Sequence, residues 1–377
     1  MGITVRDALK LKGLDKARLV AGKGGLDRRI KRVSVIECPE SPELFTEGDF
    51  FITAFYAFKN DEKSQLDMVK ALVSSNSSGL CVIDMYLKDL SPEIKRYADE
   101  VLYPVMILPN DVPYGEIITN VMDAIIQRKD DTIKEMLVDS LLQPGKTENE
   151  IISLANQINP DFKERVTAIF YSNPRTDINE DLMLIKNKIK IPPHWSVLKY
   201  RRGILFILSF SRETKKSVEL YVQEFIKELA GINSCFKLGV SDLHENLSQL
   251  GAGIKEALLA ADAGEKLNDK NIIFYRDLGL YKLLMLLRNE PELKKFKDEI
   301  IGPIADYDEK YHTKLLQTMI CYVENDGDLR RTASAMFQHV NTIRYRIEKV
   351  KEILHMEHLN NSFYEQLSVA VKIYKLL

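Results

Sequence analysis

Four cysteines in 377 residues, at 38, 81, 235 and 321, are too few and too scattered for a covalent or metal framework. None forms a C-x-x-C pair, so neither a zinc site nor a disulfide scaffold is expected, and buried thiols serving as small hydrophobes are the simpler reading. The six histidines supply one close pair, His355 and His358, with no third ligand near them. No cofactor or metal is expected. Long apolar runs are missing too. The longest, Gly203 to Leu208, is strand-sized, well short of the ~18 residues that cross a bilayer. The first residues hold no apolar signal core, and Arg6 spoils a myristoylation pattern, which predicts a soluble, cytoplasmic protein without a membrane partner. Excess charge is also lacking: a net −2 argues against wholesale coating of nucleic acid. There is no G-x-x-x-x-G-K-[ST] loop, no G-x-S-x-G elbow and no H-E-x-x-H helix. Gly22-Lys23-Gly24-Gly25 has the wrong spacing for a phosphate loop, and Gly251-Ala252-Gly253 lacks the third glycine of a dinucleotide loop.

What is present is enough apolar residue, 45%, against 29% charged, to build two to four folded domains. Residues 1–113 alternate short apolar segments with helical periods: a helix from Val5 to Lys12, strands at Arg18–Ala21, Val33–Ile36 and Phe50–Phe55, a helix over 62–74, a strand from Leu80, a helix over 92–100 and a strand at Val105–Leu108. That alternation predicts a parallel sheet with helices on its faces. Residues 114–145 read as a linker helix, with Ile118, Val121 and Ile125, then Ile133, Met136 and Leu137, along one face, ended by Pro144-Gly145. Residues 146–276 read as a second sheet domain, including a hairpin turned at Arg201-Arg202-Gly203. From 277 to 377 the strand signal vanishes, and Ser362-x-x-Glu365 matches a capping box for a terminal helix.

Charge is concentrated in that last part. Between Leu329 and Lys351 stand Arg330, Arg331, Arg344, Arg346, Lys349 and Lys351 against Glu348 alone, a local +5 that leaves −7 for the remainder. Asn325-Asp326-Gly327-Asp328 stops one helix, with Gly327 suited to the left-handed position, and Asp328 caps the next. A short helix to about Met336, a turn at Phe337–Val340 and a longer helix from Asn341 to about Leu354 give a helix-turn-helix over 328–354. In the second helix Ile343, Ile347 and Val350 form the buried stripe, Asn341 and Tyr345 point away from it, and Thr342, Arg344, Arg346 and Lys349 flank them. Asparagine, threonine and arginine at the front of such a helix are the groups a major-groove reader needs. An ordinary amphipathic surface helix would share the periodicity; the preceding helix, the tight turn and the local charge favour DNA.

Thr332-Ala333 followed by His339-Val340-Asn341-Thr342-Ile343-Arg344-Tyr345-Arg346-Ile347 closely resembles the C-terminal helix-turn-helix of PucR/CdaR-type transcription regulators, T-A-x-x-L-x-x-H-x-N-T-x-x-Y-R-[LI]. Ile3 to Asp7, Gly25 to Arg28 and Gly48 to Thr53 look like that family's N-terminal domain, and Leu238 to Asp242 with Lys255-Glu256-Ala257 resembles its degenerate GGDEF-like middle domain. Gln338 departs from an apolar turn residue common in the family, and His355 stands where glycine commonly ends the second helix. The resemblance implies an α/β sensor domain, an α+β GGDEF-like middle domain and an all-α reader, in a regulator of a catabolic operon answering to a small-molecule effector such as a purine-degradation intermediate. It implies double-stranded DNA as partner, a homodimer or higher oligomer, and His339, Asn341, Thr342, Arg344, Tyr345, Arg346 and Lys349 as DNA-binding residues. An effector cavity is expected between strand ends of the first domain. Two other readings are a nucleotide-binding or phosphoryl-transfer enzyme and a protein-interaction scaffold. The first lacks a GGDEF or GGEEF run to hold magnesium between phosphates, and isolated Glu37 and Asp84 are better read as hydrogen-bonding groups. The second would show neither salt-dependent nor sequence-dependent binding to duplex.

Overall fold

The computed structural model describes residues 2–37, 45–214, 217–232, 236–267, 270–359 and 361–377. It divides into two compact units, Met1–Met136 and Leu137–Leu377. Cys38 and Cys235 lie outside the described residues.

The first unit runs β1 (Ile3–Thr4), α1 (Val5–Ala8), β2 (Arg18–Ala21), β3 (Arg29–Ile30), β4 (Arg32–Val35), β5 (Asp49–Thr53), α2 (Glu62–Ser74), β6 (Gly79–Ile83), α3 (Pro92–Glu100), β7 (Val105–Leu108) and α4 (Tyr114–Leu142), whose end passes into the second unit. β1 and β3 form a small antiparallel pair, and the other strands form one sheet ordered β2-β7-β6-β5-β4. β4 to β7 are parallel, with β2 antiparallel on β7. Because helices cover both faces, β5, β6 and β7 are buried throughout, and β6 and β7 read as unbroken apolar runs. α2 and α3 close one face with Leu66, Val69, Leu72, Ile94 and Ala98. Val5, Ile117, Val121 and Ile125 of α1 and α4 close the other.

One expectation needs correction here. The opening helix stops at Ala8 instead of Lys12, and Gly13 turns the chain with φ +92°. In α4, Val121 and Ile125 are buried, whereas Ile126, Ile133 and Met136 are exposed. Gly22 earns its place in the turn after β2: its φ is +73°, and a Cβ there would meet the Tyr103 carbonyl oxygen at 1.8 Å.

The second unit begins with α5 (Glu148–Ile158), β8 (Arg165–Ser172), α6 (Ile178–Lys188), β9 (Ser196–Tyr200), β10 (Gly203–Phe210), α7 (Val218–Ala230), β11 (Lys237–Val240), α8 (Leu250–Leu267) and β12 (Ile272–Phe274). Its sheet is ordered β12-β11-β8-β10-β9, antiparallel except for β11 beside β12. α6 and α7 cover Ile169, Tyr171, Phe206 and Leu208. α5 and α8 cover Ala168, Leu198, Leu205 and Ile207. Gly239 lets α8 lie close, since a Cβ there would stand 2.0 Å from the Ala257 carbonyl oxygen.

Among the described residues six helices complete this unit: α9 (Tyr281–Leu287), α10 (Pro291–Tyr311), α11 (Leu315–Glu324), α12 (Leu329–Ala335), α13 (Val340–Ile353) and α14 (Asn361–Leu376). Phe363, Leu367, Ala370 and Val371 of α14 join the core formed by α10 to α13. Ile373 and Leu376 of the same helix join a second cluster with Ala260 and Ala263 of α8 and Leu284 of α9. Ser362 lies inside α14 instead of capping it, its hydroxyl accepting from the Gln366 amide at 3.2 Å. The whole is a mixed α/β chain ending in a helical module.

Candidate nucleic-acid interface

The helix-turn-helix is set by its caps. α11 ends in a paired turn: the Asp326 amide donates to the Val323 carbonyl and the Gly327 amide to that of Tyr322. Asp326 (φ +55°) therefore holds the left-handed C′ position expected of Gly327, which follows with φ +77°. The Asp328 carboxylate then accepts the Arg330 and Arg331 amides at 2.7 and 2.9 Å, starting α12. Those bonds, Arg331's first, hold its pKa below the ordinary aspartate value.

α12 ends the same way. The Phe337 amide donates to Ser334 and the Gln338 amide to Ala333, closing the turn with Phe337 at φ +53° and 93% exposed. His339 caps α13, its Nδ1 accepting the Asn341 amide at 3.2 Å. α13 thus starts at Val340, one residue earlier than expected. A third such turn ends it, with His355 left-handed and the Met356 amide donating to Lys351.

Ile343, Ile347 and Val350 are buried in the core, and Ala333 is buried where α12 meets α13. Asn341 and Tyr345, opposite that stripe, and Arg344 on its flank are exposed, Tyr345 by 70%. Thr342 is half-buried beside them and His339 is exposed. Two predicted readers turn back to the protein. Arg346 donates through Nη1 to the hydroxyl of buried Thr318 in α11 at 3.1 Å. Lys349 pairs with Glu352 at 2.9 Å and lies over the Tyr307 ring of α10; the Glu352 bond, the largest cause, raises its pKa.

The local +5 is therefore smaller at the surface. Lys349 and Lys351 are matched by Glu352 and Glu348, and Arg331 lies 3.9 Å from Asp326. Among the described residues Arg330, Arg344 and Arg346 have no carboxylate partner, so the uncompensated charge sits at the start of α12 and along the front half of α13. Arg330 was counted in the charge but not among the readers; its position two residues beyond a capping aspartate was the available signal. Phosphate contacts at helix starts and base contacts from the front half of the second helix are what this arrangement offers.

Residues 7–125 match the purine catabolism regulatory protein-like family, PucR, and residues 315–373 match the PucR C-terminal helix-turn-helix domain. The chain is 24% identical over 297 residues to the proline-responsive transcriptional activator PutR of Bacillus subtilis (strain 168), covering 75% of this chain and 70% of that protein. It is 21% identical to that organism's purine catabolism regulatory protein (36% of this chain, 26% of that one). It is 20% identical to its DNA-binding transcriptional activator AdeR (42% and 38%). These last two similarities span well under half of the relatives' lengths. Among solved structures it is similar to a regulator of polyketide synthase expression from Bifidobacterium adolescentis, with 15% identity, 65% of this chain and 92% of that one covered, and a TM-score of 0.34. No helix among the described residues is long and apolar enough to cross a membrane. The chain thus carries a PucR family domain at the front and the PucR C-terminal helix-turn-helix domain at the back, and its relatives are PucR- and PutR-type transcriptional regulators.

Proposed function

We propose that the chain is a cytoplasmic, sequence-specific regulator of a catabolic operon, whose α13 enters the major groove of an operator and whose activity a small metabolite sets. The observation that carries the reading is the exposed front of α13, where Asn341, Arg344 and Tyr345 stand clear of a core that holds the helix rigidly. Asn341 and Arg344 read base edges, Thr342 and Tyr345 contact base or backbone, and His339 lies near phosphate beside its cap. Arg346 and Lys349 act at the rim, each giving up a contact with the protein to do so. In functional terms 1–113 is the sensor, 114–145 the linker, 146–276 a degenerate GGDEF-like domain and 277–377 the reader.

The effector belongs at the carboxyl ends of the first sheet. There the Glu37 carboxylate accepts the Ala54 and Tyr56 amides at 2.8 and 3.1 Å and the Tyr114 hydroxyl at 3.2 Å. The exposed rings of Tyr56 and Tyr86 lie 5.4 Å apart beside it, with the Lys59 ammonium over both. Strand ends of parallel sheets are where ligands settle. Names of relatives point to nitrogen-containing metabolites, a proline-responsive activator and a purine catabolism regulator among them. A homodimer would place two readers on two half-sites, and the exposed Ile126, Ile133 and Met136, on one side of α4, suit a second copy of that helix.

Fluorescence anisotropy on operator DNA from the chain's own locus tests the reader. Arg344→Ala should weaken binding by about 1–3 kcal/mol with an unchanged melting temperature. Arg346→Ala should weaken binding and also lower stability by about 1 kcal/mol, because the bond from Arg346 to the Thr318 hydroxyl is lost, while that hydroxyl keeps donating to the Lys314 carbonyl. Unchanged affinity in Arg344→Ala would overturn the assignment of α13.

A further inference from the structure

We propose that the second unit carries a binding site of its own for a small organic anion, in the cavity between its sheet and α8. This goes beyond the reading above and does not depend on it. The cavity measures about 1020 Å³, sized for a metabolite and too confined for a duplex. Five basic and three acidic side chains line it; with Arg201 paired to Asp139 at 4.0 Å, one positive charge is left in excess.

The acids are already engaged. Asp262 is held by Arg288. Glu265 accepts the Ser172 hydroxyl at 2.6 Å. Asp177 caps α6 through the Asn179 amide at 3.0 Å. Of the bases, Arg202 and Lys255 are exposed and have no ion pair among the described residues. Arg202 comes from the β9–β10 hairpin and Lys255 from α8, so two cations without an ion pair line one cavity from different elements. The hairpin itself is unusual. Arg201, first of its two loop residues, takes φ +51°, where glycine is the common choice. Outliers of this kind gather where a side chain must be presented to a ligand.

An anionic head would be held by Arg202 and Lys255, with its body against Phe170, Ile178 and Leu258. A carboxylate and a phosphate ester share this chemistry. Arg288 follows α9, so the wall that meets the ligand also belongs to the helical part of the unit.

Isothermal titration of the full chain with citrate, with AMP and with adenosine tests the site. Citrate or AMP should bind and adenosine should not; the tighter of the two tells carboxylate from phosphate. The double variant Arg202→Ala/Lys255→Ala, both at the surface, should weaken that binding by about tenfold or more while leaving operator affinity without ligand unchanged. Leu258→Trp, which fills the cavity, should weaken it as well. Arg344→Ala should lose operator affinity and keep the anion, which separates this claim from the assignment of α13. Absence of binding by both anions, or binding unchanged in the double variant, or binding lost in Arg344→Ala instead, would overturn the proposal.

Discussion

Asp328 is one carboxylate on which the start of a helix depends. Its pKa is lowered by the Arg331 and Arg330 amides, so its stabilising effect is fully present above the ordinary aspartate pKa of about 4. That effect is lost as pH falls from there through the lower folded value. Asparagine caps about as well but does not titrate. Asp328→Asn should therefore leave the melting temperature at pH 7 nearly unchanged and make the helical module less sensitive to acid below about pH 4, as followed by circular dichroism; an acid response identical to the parent's would refute the cap's role. At the same scale the sequence was only partly legible. The spacing of Ile343, Ile347 and Val350 foretold the buried side of α13. That Arg346 would reach Thr318 could not be read, because the two meet across 28 residues of chain and only the packing of α11 on α13 brings them together.

Elements whose pattern is local were readable, and those that owe their form to partners were not. α2, α3 and β7 appear with the expected bounds, since a cap, a proline at the first turn or an unbroken apolar run marks them. β1 and β3, two residues each, exist only because they pair with one another. α10 contains Pro303, a residue that normally argues against a continuing helix. The turns of the reader show the same limit: α12 and α13 end on Phe337 and His355, both left-handed, in positions where glycine is usual. A side chain there costs roughly 1 kcal/mol. Phe337→Gly and His355→Gly should each raise the midpoint of urea unfolding or leave it no lower, and a marked fall in either would mean that the side chain makes contacts worth more than the strain.

In the second unit, the sheet and the reader share a helix. α14 places Phe363 and Leu367 in the reader's core and Ile373 and Leu376 against α8 and α9, and Lys266 of α8 donates to the Leu376 carbonyl at 3.1 Å. Ile373→Ala removes a fully buried side chain and should cost about 2–5 kcal/mol. Calorimetry should then show the sheet and the helical module of this unit melting together at a lower temperature; a module that melted alone, with the sheet transition unmoved, would show the two to be independent.

Such sharing has a genetic reading. In a screen for mutants that no longer regulate, lesions should turn up throughout β8, β10 and α8, far from any base pair, because whatever loosens that scaffold also loosens the helix that completes the reader.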